Sequence, residues 1–189
     1  MFKVIKRFGE CTVVRYEELN ANYRVSEDID GVIISGSEAR IVDPSNRNMF
    51  KGTIDIIKKL KIPIFSICYG YQLLCWSFGA SVASLDKPVK DRFEKVRIIE
   101  ADEIFNGFEK GESIPLAEWH YDYVLKASLN QAGFVLLADS HSCEVEAVKH
   151  KHSPFYGVQF HPERGKIKNQ SHSEGYKIIQ NFYRNVVKR

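Results

Sequence analysis

A cysteine that closes one apolar segment and opens another is the residue in this chain whose surroundings best fit a reaction. In Ile64 to Gln72, IFSICYGYQ, the β-branched run before it predicts a strand and the YQLLCWSF after it a helix. Cys68 therefore lies on the turn between the two. At a helix N-terminus the macrodipole and free backbone N–H groups lower a thiol's pKa and favour the nucleophilic thiolate. The N–H of Tyr69 points into the same space, ready to stabilise an oxyanion. Small neighbours, Ser66 and Gly70, let the sharp turn form without collision.

Such a nucleophile needs a base, and the partners meet only in the fold. The candidates are the 6 histidines, His120, His141, His150, His152, His161 and His172. His161 stands out because in FYGVQFHPE it ends an apolar strand, and Pro162 biases it toward an extended conformation. Residues two apart in an extended segment share a side. Glu163 can then reach the imidazole, orient it and stabilise its protonated form, which gives Cys68, His161 and Glu163 the logic of a triad.

The elements that position these residues follow from periodicity. Asp30 to Gly36, DGVIISG, reads as a strand buried on both faces. A polar loop, RIVDPSNRN, precedes MFKGTIDIIKKL, where Phe50, Ile54 and Ile57 fall at i, i+4 and i+7 as an amphipathic helix requires. Ile62 to Ile67 is the next strand, and Tyr69 to Phe78 the next helix, ending near Gly79. Strand, helix, strand, helix predicts parallel pairing. Beyond Asp86 the segments RFEKVRII, YDYVLKA, GFVLLADS, CEVEAVKH and FYGVQF predict strands of a mixed or antiparallel extension. EGYKIIQNFYRNVV sets Ile178, Phe182 and Val186 four apart, a closing amphipathic helix whose basic end suits the dipole. No internal repeat, low-complexity tract or linker divides the 189 residues, so one domain over 1–189 is expected.

Composition narrows the class. With 44% apolar and 12% aromatic residues the chain is that of a globular protein rather than a disordered one. Lys plus Arg number 27 against 24 Asp plus Glu, and the net charge of +3 with no basic tail gives no footprint for nucleic acid. Cys11, Cys68, Cys75 and Cys143 are too few and scattered for a disulfide framework, and none forms a C-x-x-C pair. Cys11, Cys75 and Cys143 read as core thiols. The start MFKVIKRFGE lacks a signal core, so the expected compartment is the cytoplasm. Ile62 to Leu85 carries no charge, but Pro63, Gly70, Gln72 and Gly79 interrupt it, and a buried strand and helix explain it better than a membrane span. Lys149 to His152, KHKH, reads as a solvated loop rather than a metal site, since the lysines repel cations. Nothing calls for a metal or an organic cofactor.

CYGYQ resembles the C-x-G-x-Q nucleophile motif of the class I glutamine amidotransferases, and GVQFHPE resembles their histidine motif, in the family's order. Against background usage, C-x-G-x-Q followed by HPE arises by accident with a chance on the order of 10⁻⁴ in a chain of this length. The resemblance runs from about Asp30 to the closing helix. EWHYDYV and SCEVEAVKH look most like the glutaminase part of GMP synthetase. It implies an α/β, single-domain, flavodoxin-like fold: a central, mostly parallel sheet flanked by helices, with an additional small antiparallel sheet. It also implies Cys68 as nucleophile, His161 as base, Glu163 as its orienter, Gly36 and Tyr69 as oxyanion donors, and Gln72 near bound L-glutamine. His120 and Asp122 fall where related subunits carry a loop His and Asp that sense the nucleotide-bearing partner. The length suits a free subunit, so the expected partner is a separate ATP-pyrophosphatase synthetase that aminates XMP.

Departures from the family pattern are specific. SGSE stands in place of S-G-G-P, which puts the Ser37 side chain near the oxyanion strand. Ser66 replaces a Gly two before the nucleophile, and Trp119 replaces a small residue beside His120. Only 35 residues precede Gly36, and FKVIKRFGECTVVRY reads either as a hairpin turning at Gly9 or as a shortened helix followed by a strand. Two other functions share these motifs: a stand-alone γ-glutamyl hydrolase, and a catalytically silent binding or regulatory subunit.

Overall fold

The computed structural model describes residues 1–20 and 22–188. The chain begins with one helical turn, α1 (Phe2–Ile5), and a tight turn over Tyr16–Glu18, and enters the sheet at β1 (Val32–Ile34). Neither expected form of the N-terminal segment is found: among the described residues no strand precedes β1. Val13 and Val14 are 67% and 40% exposed, so the one strand-like stretch there has no apolar surface to lie against. Instead Met1, Val4, Ile5 and Phe8 pack onto the core as an irregular cover, and Tyr16 stacks on Phe50 at 4.6 Å.

The polar loop expected after β1 contains a short helix, α2 (Pro44–Met49), because Asp43 caps it through Ser45 N at 2.8 Å and Pro44 fits the first turn. Next comes α3 (Lys51–Lys59), which buries Ile54 and Ile57 as its periodicity predicts. β2 (Ile64–Ile67) is buried at every position and runs directly into α4 (Tyr69–Ser77).

From there the strands lengthen: β3 (Val82–Ile98), β4 (Ser113–Val124), then α5 (Lys126–Leu129), β5 (Phe134–Ser140), β6 (Ala147–His150) and β7 (Phe155–Val158). A small ribbon of β8 (Lys166–Ile167) and β9 (Gln170–Ser171) precedes α6 (Glu174–Phe182), which passes into a wider turn over Tyr183–Val187.

The first seven strands form one sheet in the order β1-β2-β7-β6-β5-β3-β4. β1, β2 and β7 are parallel; β6, β5, β3 and β4 follow antiparallel, so the expected extension is continuous with the parallel part. β8 and β9 make the separate antiparallel pair. β1 lies at an edge and is half-buried rather than buried on both faces. β3 and β4 form the other margin as a long hairpin whose register slips between Ser84 and Val89 and again before Arg92, which bends it.

Alternating side chains feed two cores. Ile64, Leu73, Leu74 and Phe155 lie on the face covered by α3 and α4. Phe65, Ile67, Val158 and Phe160 meet Ile178 and Phe182 of α6 on the other. No helix among the described residues is long and apolar enough to cross a membrane. The KHKH run is not a solvated loop throughout. Lys149 and His150 belong to β6, with His150 against Phe78 at 4.7 Å and Lys149 Nζ paired to Asp102 and Glu103 at 3.0 and 2.6 Å. Of the three expected core thiols, Cys75 and Cys143 are buried and Cys11 only partly so.

Candidate active site

Parallel pairing of β2 with β7 matches Ile67 to Val158, so residues just past both strands emerge at one sheet edge. Cys68 is the first residue beyond β2. Its N–H donates to Val158 O at 2.8 Å, and its carbonyl accepts from Gln72 N at 3.0 Å, opening α4. Held between strand and helix, Cys68 has φ 51° and ψ −112°, a left-handed conformation that costs a non-glycine residue roughly 1–3 kcal/mol. Gly70 is required beside it, because a Cβ there would sit 2.5 Å from Ile34 O. The bend thus brings α4 hard against β1.

His161 leaves β7 on the same side, and its N–H donates to Ala117 O of β4 at 2.8 Å, which ties the two strands together. Its Nδ1 stands 3.0 Å from Glu163 Oε1, with both side chains largely buried. The ring also comes within hydrogen-bonding reach of Cys68. Burial works against the imidazolium, yet hydrogen bonds to Cys68 and Glu163 outweigh it and raise the His161 pKa to about 10. Burial also pushes the Glu163 carboxyl up, but its contact with His161 leaves it below its ordinary value. The three residues singled out from sequence are therefore contiguous, with a charged His–Glu pair next to the sulfur.

Gly36, past β1, completes the surround: a Cβ placed on it would lie 3.3 Å from His161 Cε1 and 3.4 Å from Cys68 Cβ. Tyr69 is the first residue of α4, whose opening N–H groups have no carbonyl partner within the helix. Ser37, the departure beside Gly36, turns its Oγ back to accept from Ala39 N at 3.1 Å. Trp119 bears on the site through its backbone. Its carbonyl accepts from Cys68 Sγ at 3.5 Å, while the ring lies outside, 40% exposed, under the Arg164 guanidinium at 5.5 Å. Cys68 is only 6% exposed beneath this strand.

Gln72, expected near the substrate, is buried, and its Nε2 donates to Asp122 O at 2.7 Å and to Gln159 Oε1 at 3.1 Å. His120 and Asp122, expected to sense a partner, are likewise buried, at 2% and 3% exposure. Asp122 binds Arg40 and Ser84 Oγ; His120 Nδ1 bonds Asp122 O at 3.2 Å. Contact with a partner would therefore run through exposed neighbours such as Arg40 and Tyr121, which stack at 5.5 Å.

Behind β4 lies a second polar group that sequence reasoning did not single out. Glu118 and Glu146 are fully buried and face each other within hydrogen-bonding reach, an arrangement that needs a proton between them. Among the described residues no conventional donor reaches either Glu118 oxygen. Burial, then the charge of Glu146, holds the Glu118 pKa well above its ordinary value; burial raises Glu146 to about 7. His120 Nε2 is 3.5 Å from Glu118 Oε2, and burial lowers its pKa to about 4, so the ring is neutral. Donor atoms of His120, Cys143 and Glu146 lie within 4.8 Å of one another, a grouping compact enough for a cation. The Cys143 thiol, however, is pushed well up by burial and donates to Val145 O at 3.4 Å, which makes it a poor thiolate ligand. The two-residue spacing of Glu118 and His120 in an extended EWHYD was the available signal that they share a side, and in the structure that side is buried.

A strained cysteine between strand and helix, faced by a His–Glu pair, defines a glutamine-hydrolysing α/β enzyme once the family is known. The chain belongs to the class-I glutamine amidotransferases, whose family model matches residues 2–186. Among relatives, the glutamine-hydrolysing GMP synthase subunit of Methanothermobacter thermautotrophicus is 35% identical over 159 residues, covering 84% of this chain and 76% of that one. The protein of the same name from Thermoplasma volcanium is 31% identical over 185 residues, covering 96% and 82%. Among solved structures, a candidate GMP synthase subunit from Thermoplasma acidophilum superposes with a TM-score of 0.76 at 27% identity, over 99% of this chain and 89% of the other. A glutamine amidotransferase from Thermotoga maritima shares the fold, with a TM-score of 0.65 at 21% identity over 75% and 60%.

Proposed function

We propose that this chain is the glutaminase component of a two-subunit GMP synthase and works as a single glutaminase domain. The Cys68 thiolate attacks the side-chain carboxamide carbon of L-glutamine. The backbone N–H groups of Gly36 and Tyr69 hold the resulting oxyanion, with Gln72 buttressing the substrate side. His161, as imidazolium, gives its proton to the departing nitrogen; the C–N bond breaks, ammonia leaves, and a γ-glutamyl thioester remains on Cys68. His161 then takes a proton from water as the water attacks the thioester, and glutamate leaves with the thiolate restored. Glu163 keeps the imidazole oriented throughout.

The observation that carries this reading is the contact of His161 with both Cys68 and Glu163, which matches the proton inventory of the two half-reactions. The names of the relatives support the destination of the ammonia: a separate synthetase subunit that aminates XMP, with His120 and Asp122 relaying its state. The low exposure of Cys68 beneath the Trp119 carbonyl supports activation by that synthetase through movement of this strand.

The test is to mix the purified chain with its synthetase, XMP and ATP, and measure ammonia, glutamate and GMP. Glutamine-dependent GMP formation is expected, with a loss of about 10⁴-fold or more in Cys68→Ser. Full glutaminase turnover without the synthetase would instead indicate a stand-alone hydrolase. A Cys68 that resists a glutamine-analogue electrophile even in the complex would indicate a silent subunit.

A further inference from the structure

Gln159 lies two residues before His161 and is fully buried. Its Nε2 is a donor 3.7 Å from Cys68 Sγ, and its Oε1 accepts from Gln72 Nε2 at 3.1 Å. The same Gln72 nitrogen donates to Asp122 O at 2.7 Å. Together these contacts fix the direction of both amides. A carboxamide placed against a main-chain carbonyl must present its NH₂, because a carbonyl oxygen cannot donate. Gln159 then receives a Gln72 N–H on its oxygen and has its own NH₂ left for the sulfur. The flipped amide would set NH₂ against NH₂ and aim a carbonyl oxygen at an anionic sulfur.

The sulfur's other hydrogen-bonding neighbours are His161 and the Trp119 carbonyl, which can only accept. An N–H donor bonds a thiolate far more strongly than a thiol, because the bond is then charge-assisted.

We infer that Gln159 is a further catalytic residue, whose side-chain amide donates to the Cys68 sulfur and favours the thiolate, with Gln72 as the positioning residue that fixes that amide's direction. The proton given up by the thiol leaves to bulk water, since His161 already carries both ring protons beside Glu163, and no other reactant takes part. The inference rests on the reading of Cys68 as nucleophile, but it concerns the ionisation of one thiol and is tested without glutamine.

The experiment alkylates the intact chain with iodoacetamide over a range of pH and follows modification at Cys68 by peptide mass spectrometry. In Gln159→Met, which keeps length and loses the donor, the midpoint of the profile moves up by about one pH unit, and modification at neutral pH slows about tenfold. Gln72→Met gives a smaller shift in the same direction. A Gln159→Met protein with the wild-type melting temperature and an unchanged profile overturns the inference. Should that variant not fold, the wild type decides by NMR. The Gln159 side-chain NH₂ resonances titrate with the alkylation midpoint and stop doing so in Cys68→Ser; resonances that ignore pH in the wild type overturn it. Loss of glutamine turnover in the complex with a normal thiol profile counts against the glutaminase reading and not against this one.

Discussion

On the β7 side of Cys68 buried polar groups are matched, His161 to Glu163 and Gln72 to Gln159, whereas on the β4 side Glu118 faces Glu146, with neutral His120, a thiol and the Ser140 hydroxyl nearby. Both clusters lie under the same strands and are comparably dry. They differ in sign. Opposite charges in a low-dielectric setting hold each other ionised, while like charges do not coexist, so the acid pair keeps a proton that the His–Glu pair does not need. One chain thus stores charge next to its sulfur and removes it a strand away.

Breaking the matched side has the largest effect. Glu163→Gln leaves the imidazole without its anionic partner, and kcat for glutamine hydrolysis in the complex falls by about 10²- to 10⁴-fold. Steady-state ammonia release measures this, and a fall of less than threefold would remove Glu163 from the mechanism.

The pH dependence of stability separates the clusters. His161 binds its proton more tightly folded than unfolded, so its contribution is complete below its ordinary pKa of 6.5 and is lost as pH rises through about 10. His161→Gln should flatten the decline of denaturant midpoint across that alkaline window. The acid pair acts at lower pH. Glu146, raised from 4.5 to about 7, keeps a proton that the unfolded chain releases, so stability falls as pH rises through that interval.

Glu118→Gln offers an N–H to an ionised Glu146 and relieves this decline. Its melting temperature at pH 8 is expected to equal or exceed that of the wild type, and a clear drop there would refute the shared proton. The smallest effect belongs to an ordinary half-exposed network outside both clusters. Lys149→Met removes the pairs to Asp102 and Glu103 and lowers stability by about 1 kcal/mol at neutral pH. Burial raises the Glu103 carboxyl, but Lys149 and Tyr156 more than offset it and bring the pKa to about 2. The loss should therefore fade as pH drops from 4.5 through that value, in urea titrations at several pH values.

Local rules carried much of the architecture. The apolar run IPIFSI, the cysteine at its end and the helix after it are set by neighbours a few residues apart, and β2 and α4 form where those neighbours direct. The spacing of His161 and Glu163 likewise follows from an extended chain at a proline. Where sequence reasoning missed, the deciding partner was distant or lacking. Among the described residues before β1 there is no strand because Val13 and Val14 find no apolar face, and α2 forms because an aspartate cap and a proline outweigh a polar composition. Lys149 and His150 lie in a strand rather than a solvated loop because β6 is paired on both sides.

Chain order by itself determined which side chains could react and the local shape each would have, since turns, caps and alternation are short-range. Only the tertiary structure decided what each buried group faces. Parallel β2 and β7 bring Cys68 to Gln159 and His161, and β4 carries Glu118 to Glu146 and lays Trp119 across the sulfur. Whether a buried carboxyl, thiol or amide keeps its proton depends on the few ångströms around it, and those are filled by residues far away along the chain.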